Sequence, residues 1–372
     1  MRKTDNLWMP EAIFWALAGG AYLTYLSYTW PIYGQAPMTD PVAYPELARA
    51  MRYFYDSGGR EPRYIFFIKL LTRTVKPNDF ALRLGSVLST AAAAALLTAW
   101  ARWQHGFLVA ALAALALALN GTLAYYAPQG YNMPAYGAML TLFAALWLGC
   151  RDSRYDAIAW GISGAACALT RLEGALVVAV ILTYTAINAK LRKKALTALA
   201  VVATLTLPYL IAQKATSGEF FASHRGHANF WATRADEAAI GSGPTAQSDK
   251  SWSDAFFGHN PIAFAGRWLK GYALAILWYA PRLWQACSPL LIFALIALQA
   301  SWRKHDYDLT VFLAAITLPV AFILPQDQVG PGSGVELRFV LPLSYPLALL
   351  CGLGLSQTLR SLRTQSTRLI VK

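Results

Sequence analysis

The chain has 372 residues, 56% of them hydrophobic and 14% charged, and a formal net charge of +13. Its apolar content exceeds the roughly 45–50% of soluble domains, which excludes an ordinary soluble protein and indicates a polytopic membrane protein. The charge does not indicate nucleic acid, because no basic run is interleaved with aromatics as a single-strand groove requires; membrane topology and anionic lipid account for it.

The N-terminal run "MRKTDNLWMPEAIFWALAGGAYLTYLSYTW" has the basic start of a signal peptide. Its apolar part is long and Trp-rich and no small-residue cleavage site follows, so it is read as a retained first transmembrane helix near 8–29. Scanned for spans of about 20 apolar residues, somewhat fewer where helices are short or buried, the sequence gives roughly ten. The others lie near 80–101, 106–120, 131–149, 156–170, 173–189, 195–213, 284–301, 308–325 and 337–356, with 267–281 as an extra span or an interfacial helix. The expected fold is therefore an all-α integral membrane protein, a single polytopic domain over 1–372.

Orientation follows from the short connections. Arg102, Arg151, Arg154, the cluster "KLRKK" at 190–194, Arg303 and Lys304 fall in turns that the positive-inside rule places in the cytoplasm, with both termini. Two long connections, 31–79 and 214–283, then lie outside. The first contains two stretches with apolar residues at helical spacing, 45–57 and 62–75, expected to be interfacial helices. No internal repeat is evident.

Asp40, followed by Pro41, reads as a helix start with an acidic cap. Pro45 would break a helix running from 41, so the start is expected nearer 45, leaving Asp40 in a turn at the membrane surface. Arg83, Arg171 and Arg338 lie at the expected outer ends of different spans. An ionisable group at that depth is costly unless it is paired or faces a cavity. Three guanidinia meeting at one depth would suit an anionic headgroup; the alternative is that each snorkels or pairs locally, Arg171 with Glu173 or Arg338 with Glu336.

In the second outer loop, His224, Arg225, His227 and His259 offer phosphate contacts or simply a solvated loop. A metal site is not expected, because Gly226 interrupts the pair and no acidic partner has fixed spacing. The aromatics of "LAYYAPQGYNMPAY", 123–136, either line a sugar or lipid pocket or mark the interfacial belt. Cys150, Cys167, Cys287 and Cys351 fall in or beside apolar runs, with no disulfide or zinc framework.

The run "DPVAYPELARAM" resembles the first-loop signature of the GT-C-fold glycosyltransferases that use polyprenyl-phosphate sugars, the group holding protein O-mannosyltransferases and the lipid A aminoarabinose transferase. It keeps Asp40, Tyr44, Glu46, Arg49 and Met51 at fitting intervals and has Pro41 where Glu is usual. "REPRYIFFIKLL" is similar to that family's proline-anchored loop helix, "NDFALRLGSVLS" to its second-span motif, "ALTRLEGALV" to its later basic segment and "ELRFVLPLSYPLALL" to its Pro-rich late span. The resemblance runs in order from about residue 8 to 356.

It implies inverting sugar transfer on the outer face of a bacterial or archaeal plasma membrane, with Asp40 as general base and no cofactor or metal. Partners would be a polyprenyl-phosphate-linked sugar, a lipid, glycan or protein acceptor, and membrane lipid. Tyr44 and Glu46 would position Asp40 or the sugar. Arg83, Arg171, Arg225 and Arg338, with His224 and His227, would meet the phosphate. Some relatives have a lysine beside the loop proline where this chain has Glu61 before Pro62; its role would pass to Arg60, Arg63 or Lys69. Rival readings are a transporter or flippase of lipid-linked saccharide, whose broken midplane helices and inverted repeats the sequence does not show, and a noncatalytic relative.

Overall fold

The computed structural model describes residues 22, 24–32, 43–57, 60–218, 261–323 and 337–370, and among these the regular structure is entirely helical. After a helical segment at 24–32, the first long connection contributes α1 (Ala43–Ala50) and α2 (Pro62–Thr74). The bundle follows as α3 (Asn78–His105), α4 (Phe107–Ala118), α5 (Gly121–Tyr126), α6 (Met133–Gly149), α7 (Asp156–Thr170), α8 (Glu173–Ile187) and α9 (Arg192–Ser217). Next, α10 (Pro261–Ala273) runs through a π-helical turn, Leu274–Tyr279, into α11 (Ala280–Trp284). The chain continues with α12 (Leu291–Arg303), α13 (Asp308–Ile323), the short α14 (Leu337–Val340) and α15 (Ser344–Ile370).

Each expected span from 80 onward coincides with a helix, but the helices differ in reach. Among the described residues, four stretches are long and apolar enough to cross a membrane: Asn78–His105, Arg192–Thr216, Ala265–Arg303 and Leu337–Leu362. The stretch expected at 267–281 belongs to the third of these. Met133–Gly149, Glu173–Ile187 and Asp308–Ala321 are shorter apolar helices. Met133–Gly149 is buried along most of its length, so neighbouring protein covers backbone that lipid could not.

The expected span at 106–120 is one arm of a broken pair, Phe107–Ala118 and Gly121–Gln129, bent by 60°. The break is made by Asn120. Its Oδ1 accepts the Leu123 amide at 2.8 Å, capping α5, while its Nδ2 donates to Ser344 Oγ at 2.9 Å. The Asn120 amide turns back to the Leu117 carbonyl, and the Ala116 carbonyl accepts the Trp284 indole N–H at 2.6 Å. Polar groups freed by the bend are thus met within the protein.

Pro45 does not delay the first interfacial helix. α1 begins at Ala43 and holds Pro45 in its first turn, where amides lack intrahelical partners and a missing N–H breaks no bond. The helix ends at Ala50, not 57. α2 starts with Pro62 behind Glu61 as its N-cap residue. The two helices share a small core of Tyr44, Ala48, Met51, Tyr64, Ile65 and Ile68, closed against Leu82 and Ala135 of the bundle.

At the opposite end, Arg151 Nη2 pairs with Asp308 Oδ2 at 2.6 Å and Lys194 Nζ with Asp156 Oδ2 at 3.0 Å. These pairs lock turns that the sequence marks as cytoplasmic. The polar chemistry of interest lies at the α1–α2 end.

Candidate functional site

The site is organised by the turn "PQGYN", 128–132, which follows the broken arm. Gly130 takes φ +82°, a left-handed conformation that costs glycine little, and the chain reverses there into α6. Four neighbours close on this turn. Arg83 Nη1 donates to the Pro128 carbonyl at 3.3 Å, and Tyr64 Oη to the Gly130 carbonyl at 3.0 Å. The Arg338 guanidinium lies 5.5 Å from the Tyr131 ring centre and 4.9 Å from that of Phe339. Arg171 Nη1 donates to Asn132 Oδ1 at 3.1 Å. Three arginines distant in sequence are brought to one turn.

Local pairing occurs as well. Arg83 Nε binds Asp79 Oδ2 at 2.9 Å, one helical turn away. Arg171 grips Glu173 along one edge, Nε to Oε2 at 3.2 Å and Nη2 to Oε1 at 2.5 Å. A guanidinium carries five N–H donors. With Asn132 included, three of those on Arg171 are engaged and two are open among the described residues.

The N-terminus of α2 packs against the same place. Glu61 Oε1 accepts the Leu172 amide at 2.9 Å, and Arg63 Nη1 donates to Thr170 Oγ1 at 3.2 Å. Two carboxyls, Glu61 and Glu173, therefore flank one guanidinium. Burial, and then the negative charge of Glu173, raise the Glu61 carboxyl above its usual range against the opposing pull of Arg171. Between Tyr136, Arg171, Glu173, Phe339 and Pro342 lies a cavity of ≈ 20 Å³.

Of the other expected site residues, Tyr44 is buried and meets Tyr64 edge-on with ring centres 5.5 Å apart. Lys69 directs its ammonium to the Met51 carbonyl, tying α2 to the end of α1. Glu46 and Arg60 are exposed, Glu46 on the outward face of α1. Asp40, His224, Arg225, His227, His259 and Glu336 lie outside the described residues. No cluster able to hold a metal occurs among the described residues. Asn132, Thr170 and Tyr64, which fix the arginines and α2, were not singled out by the sequence.

Chemically, the open donors of Arg171 can bind an anionic oxygen, with Arg338 and Arg83 adding positive charge around the same turn. The paired carboxyls can hold and release a proton.

The fold is similar to that of ArnT from Cupriavidus metallidurans. The structure of ArnT bound to undecaprenyl phosphate is 16% identical, with a TM-score of 0.63 over 92% of this chain and 60% of that one. The apo state of ArnT is 15% identical, with a TM-score of 0.60 over 93% of this chain and 60% of that one. This chain thus spans 60% of the length of those chains. No model of a protein family and no curated protein matches it. The likeness shows the fold, and the all-α membrane architecture expected from the sequence is the one found among the described residues.

Proposed function

We propose that this chain is a membrane glycosyltransferase that moves a sugar from a polyprenyl-phosphate donor to an acceptor hydroxyl on the outer face of the membrane, with inversion. The observation that carries this reading is the meeting of Arg83, Arg171 and Arg338 at the Pro128–Asn132 turn, beside the packed α1–α2 pair. A lipid-borne phosphate entering from the outer leaflet would find donors there at headgroup depth. Similarity of fold to a protein that binds undecaprenyl phosphate supports the same ligand class.

In this reaction Asp40 takes the acceptor proton, and the arginines stabilise charge on the departing phosphate. Tyr44 holds the interfacial helix that begins three residues after Asp40. Arg225 and the neighbouring histidines supply phosphate contacts from the second loop. Both termini are cytoplasmic, and the donor and acceptor meet on the outer side.

Among the described residues, the broken α4–α5 pair is the feature that favours a lipid-linked-saccharide transporter. Its polar groups are met by Asn120, Ser344 and Trp284, a fixed bend rather than an ion-coordinating gap. Purified protein in nanodiscs tests the phosphate site: saturable binding of undecaprenyl phosphate but not of undecaprenol is expected, and equal binding of the two would overturn it. Comparing surface glycolipids, glycans and glycoproteins of cells with and without the protein identifies the product. Movement of lipid-linked sugar without any glycosylated product would favour the transporter.

A further inference from the structure

We propose that Glu61 is a catalytic acid of this site, a carboxyl that touches a phosphate oxygen beside Arg171 and gives that oxygen its proton as the bond between sugar and phosphate breaks. This rests on the glycosyltransferase reading and adds to it a proton donor for the leaving group.

The argument begins with the charges that face Glu61. Arg171 is committed along one edge to Glu173, so its positive charge is already matched by one carboxylate. Glu61 is held by the Leu172 amide, between Arg171 and Glu173 in sequence, and forms no ion pair among the described residues. Arg63, two residues on, points its guanidinium at Thr170, and Arg60 is exposed. Among the described residues, the other titratable groups around the Arg171–Glu173 turn are Tyr44, Tyr136, Tyr209 and Cys167.

A phosphate docking on the open donors of Arg171 brings a further negative charge to a place with two carboxyls and one committed cation. The carboxyl that is not ion-paired to Arg171 is the one that keeps a proton, and a protonated carboxyl can donate a hydrogen bond to the phosphate. Burial and the Glu173 charge act on Glu61 in the same direction. Its position as the residue before α2 places it on the interfacial helix pair at the rim, where the headgroup enters.

The step balances as follows. The acceptor oxygen bonds to the anomeric carbon and loses its proton to the base, Asp40. The bond from that carbon to the phosphate oxygen breaks, its electron pair stays on the oxygen, and that oxygen takes the Glu61 proton. Polyprenyl phosphate leaves as the monoanion, and exchange of one proton from Asp40 and one to Glu61 through solvent restores the site.

Undecaprenyl methyl phosphate is a suitable probe, since as a diester it carries no proton that titrates near neutrality. Calorimetry on the full chain in nanodiscs, in two buffers of different ionisation enthalpy, counts protons taken up on binding. Wild type is expected to take up a fraction of a proton, with affinity falling by up to tenfold per pH unit above the Glu61 range. Glu61→Gln keeps the acceptor for the Leu172 amide, so the variant is expected to bind within a few fold of wild type, without proton uptake or pH dependence. With a sugar-bearing donor its transfer rate should fall about a hundredfold and lose its alkaline limb. Binding by wild type without proton uptake, or equal uptake in the variant, overturns the proposal. Wild-type binding of the diester no stronger than of undecaprenyl methyl ether removes the phosphate site itself, and this proposal with it.

Discussion

Arg171 donates to Asn132 at 3.1 Å, so the guanidinium that holds Glu173 also fixes two turns 39 residues apart. The arginine is at once a structural clasp and the central donor of the proposed phosphate site, and substitution must separate these roles. Arg171→Ala leaves Glu173 in a largely buried setting without its cation, a loss of about 3–5 kcal/mol. Arg171→Ala/Glu173→Gln removes both charges and is expected to recover most of that loss on thermal unfolding in detergent. The double variant should still bind undecaprenyl phosphate at least about tenfold more weakly, because a charge-assisted contact is gone. Full affinity in a folded double variant would take Arg171 out of the phosphate site.

What the sequence made legible follows from which physical signals are local. Arg83, Arg171 and Arg338 stood out because a charge at the end of an apolar run is costly, a fact visible without any partner. Glu173 was visible only as the nearest opposite charge. Asn132, Thr170 and Tyr64 gave no such signal: an uncharged polar residue at the rim of a membrane protein is common, and their roles exist only through contacts with distant segments. The helices themselves were found by apolar run length. The span near 106–120 ended at the break, but the angled second arm escaped that measure because it is too short to register as a span, although Asn120 followed by Gly121 is a local cap signal. The α1 start was displaced because Pro45 was weighed as a breaker, whereas in a first turn it is compatible with helix.

Helix packing offers a sharper test of the fold. A Cβ on Gly354 would stand 1.8 Å from the Phe293 carbonyl oxygen, where α15 crosses α12. A backbone carbonyl cannot rotate away, so the helices must separate; close approach through small residues is what holds helices together in lipid. Gly354→Ala is expected to destabilise by about 1–3 kcal/mol, as overpacking does elsewhere. Gly266→Ala is the control: nothing among the described residues lies within 4 Å of its added Cβ, and the helix should gain about 0.5–1 kcal/mol. Equal melting temperatures for the two variants would contradict the α12–α15 crossing.

Glu61 gives a pH signature in stability as well as in binding. Its carboxyl is raised above the ordinary carboxylate range by burial and by Glu173, so the folded state holds the proton more tightly than the unfolded chain. Stability from that proton is fully present below the unfolded value and is lost as pH rises through the raised folded value. Melting curves of wild type should therefore decline across that window, and those of Glu61→Gln, which stays neutral, should decline less. Parallel curves would mean that the carboxyl keeps its ordinary range in the folded protein.

The proposed mechanism gives Asp40 the role of base. α1 begins at Ala43, and its buried Tyr44 packs on Tyr64, whose hydroxyl reaches the Gly130 carbonyl of the arginine turn. A chain of contacts thus connects the segment beginning three residues after Asp40 to the proposed phosphate site. A base needs only its charge, so Asp40→Asn should leave folding and undecaprenyl phosphate affinity within twofold of wild type. Transfer in membranes supplied with lipid-linked donor should fall by about 10²–10⁴, the usual contribution of a general base. Loss of binding in step with loss of transfer would instead make Asp40 part of the scaffold that holds the donor. An unchanged rate would leave the acceptor proton to another group, and Glu46, on the exposed face of the same helix, would be the next carboxylate to replace.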